Sequence, residues 1–261
     1  MTLILEARAV TKRFGGLLAN DGISLSLGDT PGQVTSVIGP NGAGKSTFFK
    51  ILAGYAAPSS GSVHLFGEDV TGMKPHRIAA RGMVRTFQET TIFPQLTALE
   101  HVSLAHQLHR QSGDLPAFLD TRHARRDETR LNEEALAVLE LLDIGRIAHE
   151  VAKNLPHGFL RLLGMAMGLA AKPKVLLLDE PYAGLNPEET ARAVELTRRI
   201  AGQGVSILLV EHDMKAVMSI SDYIHVLYFG KKIAAGTPQQ IRDNPEVIEA
   251  YLGKEDEELG I

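Results

Sequence analysis

The sequence has 261 residues, no cysteine and a formal net charge of −4. A chain of this length can bury the core of one large domain, and its 44% apolar content is typical of a globular protein. The lack of cysteine excludes disulfides, cysteine-ligated zinc sites and thiol catalysis. The slightly acidic charge argues against a general nucleic-acid binder.

Residues 39–47 read GPNGAGKST, a complete Walker A phosphate loop. They follow an apolar, β-prone stretch and precede a helical one, which is the strand, loop and helix order that the motif requires. Glycines let backbone N–H groups turn toward the phosphates, and the N-terminus of the following helix adds partial positive charge. Lys45 is predicted to neutralise the β- and γ-phosphates of a nucleoside triphosphate, and the Ser46 hydroxyl to bind Mg²⁺.

Four short runs are mostly apolar without alternation, as in strands that are covered on both faces. They are residues 34–38, 175–178, 206–210 and 224–228. Helical segments separate them, for instance residues 187–201, where Asn186 can cap the helix and two glutamates suit its first turn. The alternation predicts an α/β fold with a buried, largely parallel sheet.

The character changes between about residues 96 and 171, where the sequence is charged and rich in Leu and Ala. Residues 127–144 place apolar side chains on one helical face. These are Leu131, Ala135, Val138, Leu139 and Leu142. We expect a helical subdomain inserted into the sheet domain.

Acidic residues end a second predicted strand, because residues 175–180 read VLLLDE, a Walker B arrangement. Asp179 is predicted to hold Mg²⁺ through its water shell, and Glu180 to accept a proton from the attacking water or to orient it. The strand at residues 206–210 is followed at once by Glu211, His212 and Asp213. His212 would then lie beside the nucleotide, where an imidazole can bridge the γ-phosphate and the water.

With these motifs the sequence resembles an ATP-binding cassette (ABC) ATPase over nearly its whole length. The resemblance implies a P-loop NTPase fold of the α/β class, with a mostly parallel sheet, an antiparallel β region and an inserted helical subdomain. It implies one ABC ATPase domain over residues 1–253, with the helical subdomain at about 96–171. Residues 254–261 would form an acidic, solvated tail.

The resemblance also implies roles for individual residues. Phe14, in VTKRFGG, matches the aromatic residue that stacks on adenine. Gln88, in RTFQ, matches the glutamine that senses the nucleotide, binds Mg²⁺ together with Ser46 and Asp179, and couples the site to the membrane subunit. His212 matches the switch histidine, and residues 181–187 match the D-loop. The phosphate-loop residues implied to bind ATP are Gly39, Asn41, Gly42, Ala43, Gly44, Lys45, Ser46 and Thr47.

Finer details are similar to one branch of the family, namely FGGLLA, RTFQ, VEHDM and the ending GTPQQIRDNPEVIEAYLG. They resemble the larger ATPase of branched-chain, or hydrophobic, amino-acid uptake transporters. That branch implies two membrane permease subunits, a substrate-binding protein, a second ATPase subunit and a peripheral location on the cytoplasmic face of the inner membrane. A lipopolysaccharide-export ATPase has a similar ending and is the nearest alternative.

Two further alternatives lie outside that branch. A soluble ABC ATPase acting on nucleic acid or ribosomes usually has two cassettes or long coiled coils, whereas this chain has one cassette and no sustained heptads. We therefore expect no nucleic-acid partner. A nucleotide-binding regulatory subunit with little turnover is the other alternative, and the signature motif supports it.

The signature motif departs from the family's LSGGQ, because residues 155–159 read LPHGF, with Leu160 to Leu162 and Met167 also unlike the family. In the family this segment reaches across a dimer and binds the γ-phosphate on the partner's Walker A loop. Pro156 offers neither a hydroxyl nor a backbone N–H, although proline suits the first turn of a helix. Each lost hydrogen bond to a charged phosphate would cost about 1.5 to 3 kcal/mol.

Three interpretations of this departure stay open. His157 could donate to the phosphate in place of the serine, while the helix dipole and the Gly158 N–H are retained. The composite site that depends on this segment could instead hold ATP without turning it over. The simplest interpretation is that Phe159, Leu160, Leu162 and Met167 fill an apolar core beneath the helix.

Overall fold

The structure of the protein, a computed structural model, describes residues 3–86, 92–106 and 122–252. Several strands end at Gly-containing turns, and Thr97, Asp213 and Thr237 cap the helices that follow them. The strands, in chain order, are β1 (Leu5–Phe14), β2 (Leu17–Leu27), β3 (Val34–Ile38), β4 (Ser60–Leu65), β5 (Glu68–Asp69), β6 (Met83–Arg85), β7 (Val175–Asp179), β8 (Ser206–Val210), β9 (Tyr223–Tyr228) and β10 (Lys231–Gly236).

The helices vary from one turn to more than five. They are α1 (Lys45–Leu52), α2 (Pro75–Ala79), α3 (Ala98–Ala105), α4 (Arg122–Leu141), α5 (His157–Ala170), α6 (Pro187–Gly202), α7 (Met214–Ile220), α8 (Pro238–Arg242) and α9 (Pro245–Leu252). Short 3₁₀ segments occur at Gly145–Ile147 and Ala152–Asn154. Within the described residues, no helix is long and apolar enough to cross a membrane.

The central sheet has the strand order β10-β9-β3-β8-β7-β6. Strands β9, β3, β8, β7 and β6 pair in parallel, and only the edge strand β10 is antiparallel to its neighbour, β9. Every residue of β3, β7 and β8 is buried, which explains their continuous apolar sequences. The four predicted strands are confirmed. Because parallel strands end at a common edge, the segments after β3, β7 and β8 lie together there.

A second, antiparallel sheet has the order β2-β1-β4-β5. Leu5 and Ile23 of this sheet share one apolar cluster with Phe48 and Phe49 of α1, and all four side chains are fully buried. The cluster also includes Leu177 of β7. Helix α1, which follows the phosphate loop, is thus fixed by its two phenylalanines in the core.

The chain divides into two compact units. One comprises Met1–Arg85, Lys174–Glu180 and Thr197–Ile261, and the other Thr86–Pro173 and Pro181–Leu196. The second unit is mainly helical, with α3, α4 and α5 packed on one another. Helix α3 begins with a capping box in which Thr97 and Glu100 bond to each other's backbone N–H.

The apolar face predicted for residues 127–144 is present, but the helix is bounded differently. Helix α4 ends at Leu141, because Asp143 has a positive φ of 55° that closes the turn. Leu142 is buried just beyond the helix, and Val138 is only half-buried. Helix α6 matches its predicted span to one residue, and Asn186 caps it by accepting from the Glu189 N–H at 2.9 Å. Residues 254–261 lie outside the described residues.

Candidate nucleotide site

The phosphate loop joins β3 to α1, and hydrogen bonds to the loop backbone fix the position of its lysine. Lys45 is the first residue of α1 and is 7% exposed. Its Nζ donates to the Gly39 carbonyl at 2.6 Å and to the Pro40 carbonyl at 3.0 Å. These two bonds draw the ammonium across the loop. Gly39 is required by close packing, since a Cβ there would lie 2.0 Å from the Leu227 carbonyl oxygen.

A cavity of about 380 Å³ opens over this loop. It brings the loop together with Glu180, the predicted catalytic carboxylate, although the two are more than 130 residues apart in the sequence. Two apolar segments complete its wall. The lining residues are Leu17, Leu18, Ala19, Asn41, Gly42, Ala43, Gly44, Lys45, Ser46, Thr47, Glu180, Phe229 and Gly230.

Two supports of the loop were missed in the sequence. Asn20, fully buried in β2, donates from Nδ2 to the Gly44 carbonyl at 3.1 Å. Gly230, in the turn between β9 and β10, donates from its N–H to the Ala43 carbonyl at 3.1 Å. The only available signal for Asn20 was a polar residue inside an apolar strand, which says nothing of its partner.

Asp179 forms a buried ion pair at the end of β7. Its Oδ2 accepts from Nη2 of Arg85, the last residue of β6, at 2.6 Å, and the two side chains are 3% and 7% exposed. The guanidinium also lies 5.6 Å from the ring centre of Tyr55. Arg85 was not predicted from the sequence, because only the parallel pairing of β6 with β7 brings it to Asp179.

The other carboxylate oxygen of Asp179, Oδ1, is buried and accepts no hydrogen bond from the described residues. A hydrated divalent cation would satisfy such an oxygen, so the donor set fits Mg²⁺. The next residue, Glu180, has a positive φ of 49° and donates its N–H to the Val210 carbonyl at 2.9 Å. Positive φ at a non-glycine residue is strained and occurs often at functional sites.

Two of the remaining predicted site residues, Phe14 and His212, lie outside the lining of the cavity over the phosphate loop. Phe14 does not line the cavity; it is 52% exposed at the end of β1, where it pairs with Leu17, which does line it. His212 is also outside the lining, with its side chain 63% exposed and its Nδ1 3.7 Å from Glu211. Gln88 lies outside the described residues.

The signature segment begins α5, but its proline is not in the first turn. Pro156 is at the N-cap, with φ −56° and ψ 155°, and His157 is the first helical residue. His157 packs so closely on the D-loop that a Cβ on Gly184 would lie 2.9 Å from its Cε1. Arg161 Nε donates to the Ala183 carbonyl at 3.2 Å. The segment is therefore attached to the D-loop of its own chain.

The apolar side chains of α5 are only partly in a core. Leu162 is 8% exposed, whereas Phe159, Leu160 and Met167 are half-buried. The Phe159 ring lies 5.2 Å from the guanidinium carbon of Arg146. Core filling accounts for Leu162 best.

Comparison with known proteins decides the family. Residues 21–183 match the family model described as ABC transporter. The chain belongs to the ABC transporter family. Residues 231–257 match a second model, described as branched-chain amino acid ATP-binding cassette transporter. The predicted family and fold class are thus confirmed, and the chain is an ATP-binding cassette of a family whose members hydrolyse ATP to power transport.

Similar ABC proteins cover almost the whole chain. The high-affinity branched-chain amino acid transport ATP-binding protein BraF of Pseudomonas aeruginosa is 44% identical over 96% of this chain and 98% of its own. LivG of Escherichia coli, with the same description, is 40% identical over the same shares. Among solved structures, the ADP conformation of MJ1267, an ATP-binding cassette of an ABC transporter, has a TM-score of 0.84 at 29% identity. It covers 97% of this chain and 100% of its own.

Proposed function

We propose that this cassette is the ATP-hydrolysing subunit of an importer for branched-chain or related amino acids, or small carboxylates. The observation that carries the proposal is the match of residues 231–257 to the branched-chain model. Ile241 of α8 and Val247 of α9 pack in one cluster with Ile38, the last residue before the phosphate loop. Burial raises the pKa of Tyr251 in α9 to about 12, and a hydrogen bond with the Gly39 backbone works against that rise.

ATP would bind with its phosphates in the loop at residues 39–47. The backbone N–H groups and the N-terminus of α1 would face the phosphates, with Lys45 between the β- and γ-phosphates. The carbonyl bonds of Lys45 support this role, because they hold the ammonium over the loop.

Mg²⁺ would be held by Ser46, Asp179 and Gln88, and it would supply charge neutralisation between the β- and γ-phosphates. Glu180 would accept the proton of the attacking water, and its place in the cavity wall supports this role. His212 would turn from its exposed position to orient the water and the γ-phosphate. We retain the single ATPase domain at residues 1–253 and the helical subdomain at about 96–171 as proposals.

In a closed dimer, the signature segment of one chain would complete the site on the other. Pro156, His157 and Gly158 would then serve the partner's nucleotide, with the dipole of α5 and the Gly158 N–H as the remaining attractions. Because Pro156 supplies neither a hydroxyl nor an N–H, we expect this site mainly to bind ATP and to hydrolyse it slowly. The Walker A loop of this chain would be completed by the partner's signature.

The two-site proposal predicts the effect of Glu180→Gln in a heterodimer with a paralogous ATPase subunit. Nearly all turnover should be lost, at least a hundredfold, because Glu180 serves the site with the intact signature. Phosphate release by the purified transporter is the measurement, and His157→Ala is the second variant. Substantial residual ATPase in Glu180→Gln contradicts the assignment, whereas a loss in His157→Ala would show that His157 acts on phosphate.

The proposed partners are two permease subunits, a paralogous ATPase subunit or a second copy of this chain, and a substrate-binding protein that acts through the permease. The cassette itself would lie at the cytoplasmic face of the membrane. Affinity purification of the chain from detergent-solubilised membranes tests this. We expect permease subunits of amino-acid importers among the captured proteins. Lipopolysaccharide-export components, or ribosomes, would overturn the proposal. Captured permeases without stimulated ATPase would favour the regulatory subunit, which the atypical signature supports.

A further inference from the structure

Phe229, in the turn between β9 and β10, combines two unfavourable features. Its φ is +42°, in the left-handed region that side chains with a Cβ rarely occupy. Its side chain is 77% exposed, the highest value among the large hydrophobic residues that the structure describes. A glycine would avoid both costs, and an asparagine would lower them, so the local fold gives no reason for phenylalanine here.

Packing among the residues that the structure describes does not account for a phenylalanine at this position. The Tyr228 ring contacts it edge to face, with ring centres 4.5 Å apart, and still leaves most of its surface in solvent. Strained backbone and exposed apolar surface together are what a binding site shows when the ligand itself covers the surface.

The turn is attached directly to the phosphate loop. Gly230 donates its N–H to the Ala43 carbonyl at 3.1 Å, and its own carbonyl accepts from the Asp21 N–H at 2.8 Å. Phe229, in the same turn, lines the cavity over residues 41–47. Leu17, which is 65% exposed, lines the same cavity.

We propose that Phe229 and Leu17 form an apolar contact for the nucleoside half of the bound nucleotide. The inference rests on the proposed function of the loop, which takes the phosphates. A purine and its ribose present flat apolar surface, which aromatic and aliphatic side chains cover well. This contact is distinct from Phe14, which lies outside the cavity lining.

The test compares Phe229→Gly with Phe66→Gly in the full chain. Phe66 is a matched control, because it also has a positive φ, of 52°, precedes a glycine in a hairpin turn and is 38% exposed, but lies outside the cavity lining. Binding of ADP and of tripolyphosphate is measured by calorimetry, with thermal melting of each variant. Tripolyphosphate has the phosphates without the nucleoside.

Phe229→Gly should weaken ADP binding about tenfold and leave tripolyphosphate binding unchanged. Its melting temperature should stay level or rise, because glycine relieves the strain at φ +42°. Phe66→Gly should change neither affinity, and Phe229→Leu should lose less ADP affinity than Phe229→Gly.

An ADP loss no larger than that of Phe66→Gly overturns the inference, as does an equal loss for tripolyphosphate, which would mean that the turn acts through the loop. Failure of the proposed function looks different, because wild-type protein would then bind neither ADP nor tripolyphosphate.

Discussion

Arg85 and Asp179 form the most consequential buried ion pair among the described residues. The distance from Arg85 Nη2 to Asp179 Oδ2 is 2.6 Å, and both side chains are almost inaccessible to solvent. A pair of this kind contributes little over an apolar replacement, but removal of one partner leaves an uncompensated buried charge. Arg85 thus allows a carboxylate to be kept in the core beside the phosphate loop.

Arg85→Met should therefore lower the free energy of unfolding by about 3 to 5 kcal/mol. Restoring neutrality with Arg85→Met and Asp179→Asn together should recover much of that loss. The measurement is urea denaturation followed by circular dichroism. Arg81→Met is the matched control, since the Arg81–Glu68 pair is largely exposed and should contribute little to the free energy of unfolding. An Arg85→Met loss as small as that of Arg81→Met would contradict the argument.

At the scale of elements, β9 carries a buried histidine. His225 is 3% exposed and pairs in register with Val37 of β3. Burial, together with the positive charge of Lys232, lowers the pKa of His225 to about 4, while the Ser26 backbone works in the opposite direction. The folded protein therefore keeps this imidazole neutral through a pH range in which the unfolded chain is protonated.

The free energy of unfolding should consequently decrease as the pH is lowered from about 6.5, the ordinary histidine pKa, to about 4. In that window the unfolded state binds a proton that the folded state does not. The resulting loss in the free energy of unfolding is about 3 kcal/mol over the window. His225→Gln should flatten the fall in the free energy of unfolding measured by urea denaturation at pH 7 and pH 4.5. His76→Gln, at an exposed histidine of α2, should follow the wild-type dependence. Parallel curves for wild type and His225→Gln would refute the assignment.

At the scale of the whole molecule, the C-terminal helix completes the core behind the phosphate loop. Val247 and Ala250 of α9 are 5% and 6% exposed, and Val247 shares a cluster with Ile38 and Ile241. The described part of the segment that matches the branched-chain family model, residues 231–252, is therefore part of the fold. Its contribution is separable from that of the acidic tail by truncation.

Two truncations test this. A chain that ends at Asn244 lacks α9 and should lose several kcal/mol of stability, about 1.5 to 3 kcal/mol for each large apolar side chain that is no longer buried. It should also bind ADP more weakly, because Tyr251 no longer contacts the Gly39 backbone. A chain that ends at Gly253 lacks only the predicted solvated tail and should melt at the same temperature as the wild type. Equal melting of the two truncated chains would count against the role of α9.

Local pattern sufficed wherever one segment carries its own signal. The phosphate loop has fixed residue spacing, and β3, β7 and β8 are buried on both faces, so their sequences are continuous apolar runs. The acidic residues Asp179 and Glu180 were predicted for the same reason, because they directly follow such a run. The helix end at Leu141 was less accurate, since the apolar period continues through Leu142 while the backbone already turns at Asp143.

Only the tertiary structure decided which distant residues meet. Arg85 and Asp179 are 94 positions apart, and Asn20 and Phe229 approach the phosphate loop from opposite ends of the chain. Periodicity reports which residues are buried, whereas the strand order β10-β9-β3-β8-β7-β6 determines their neighbours. The sequence by itself determined that this protein binds a nucleoside triphosphate. The fold decided how the loop is supported and what else faces its ligand, because strand pairing and core packing act between segments that are remote in the chain.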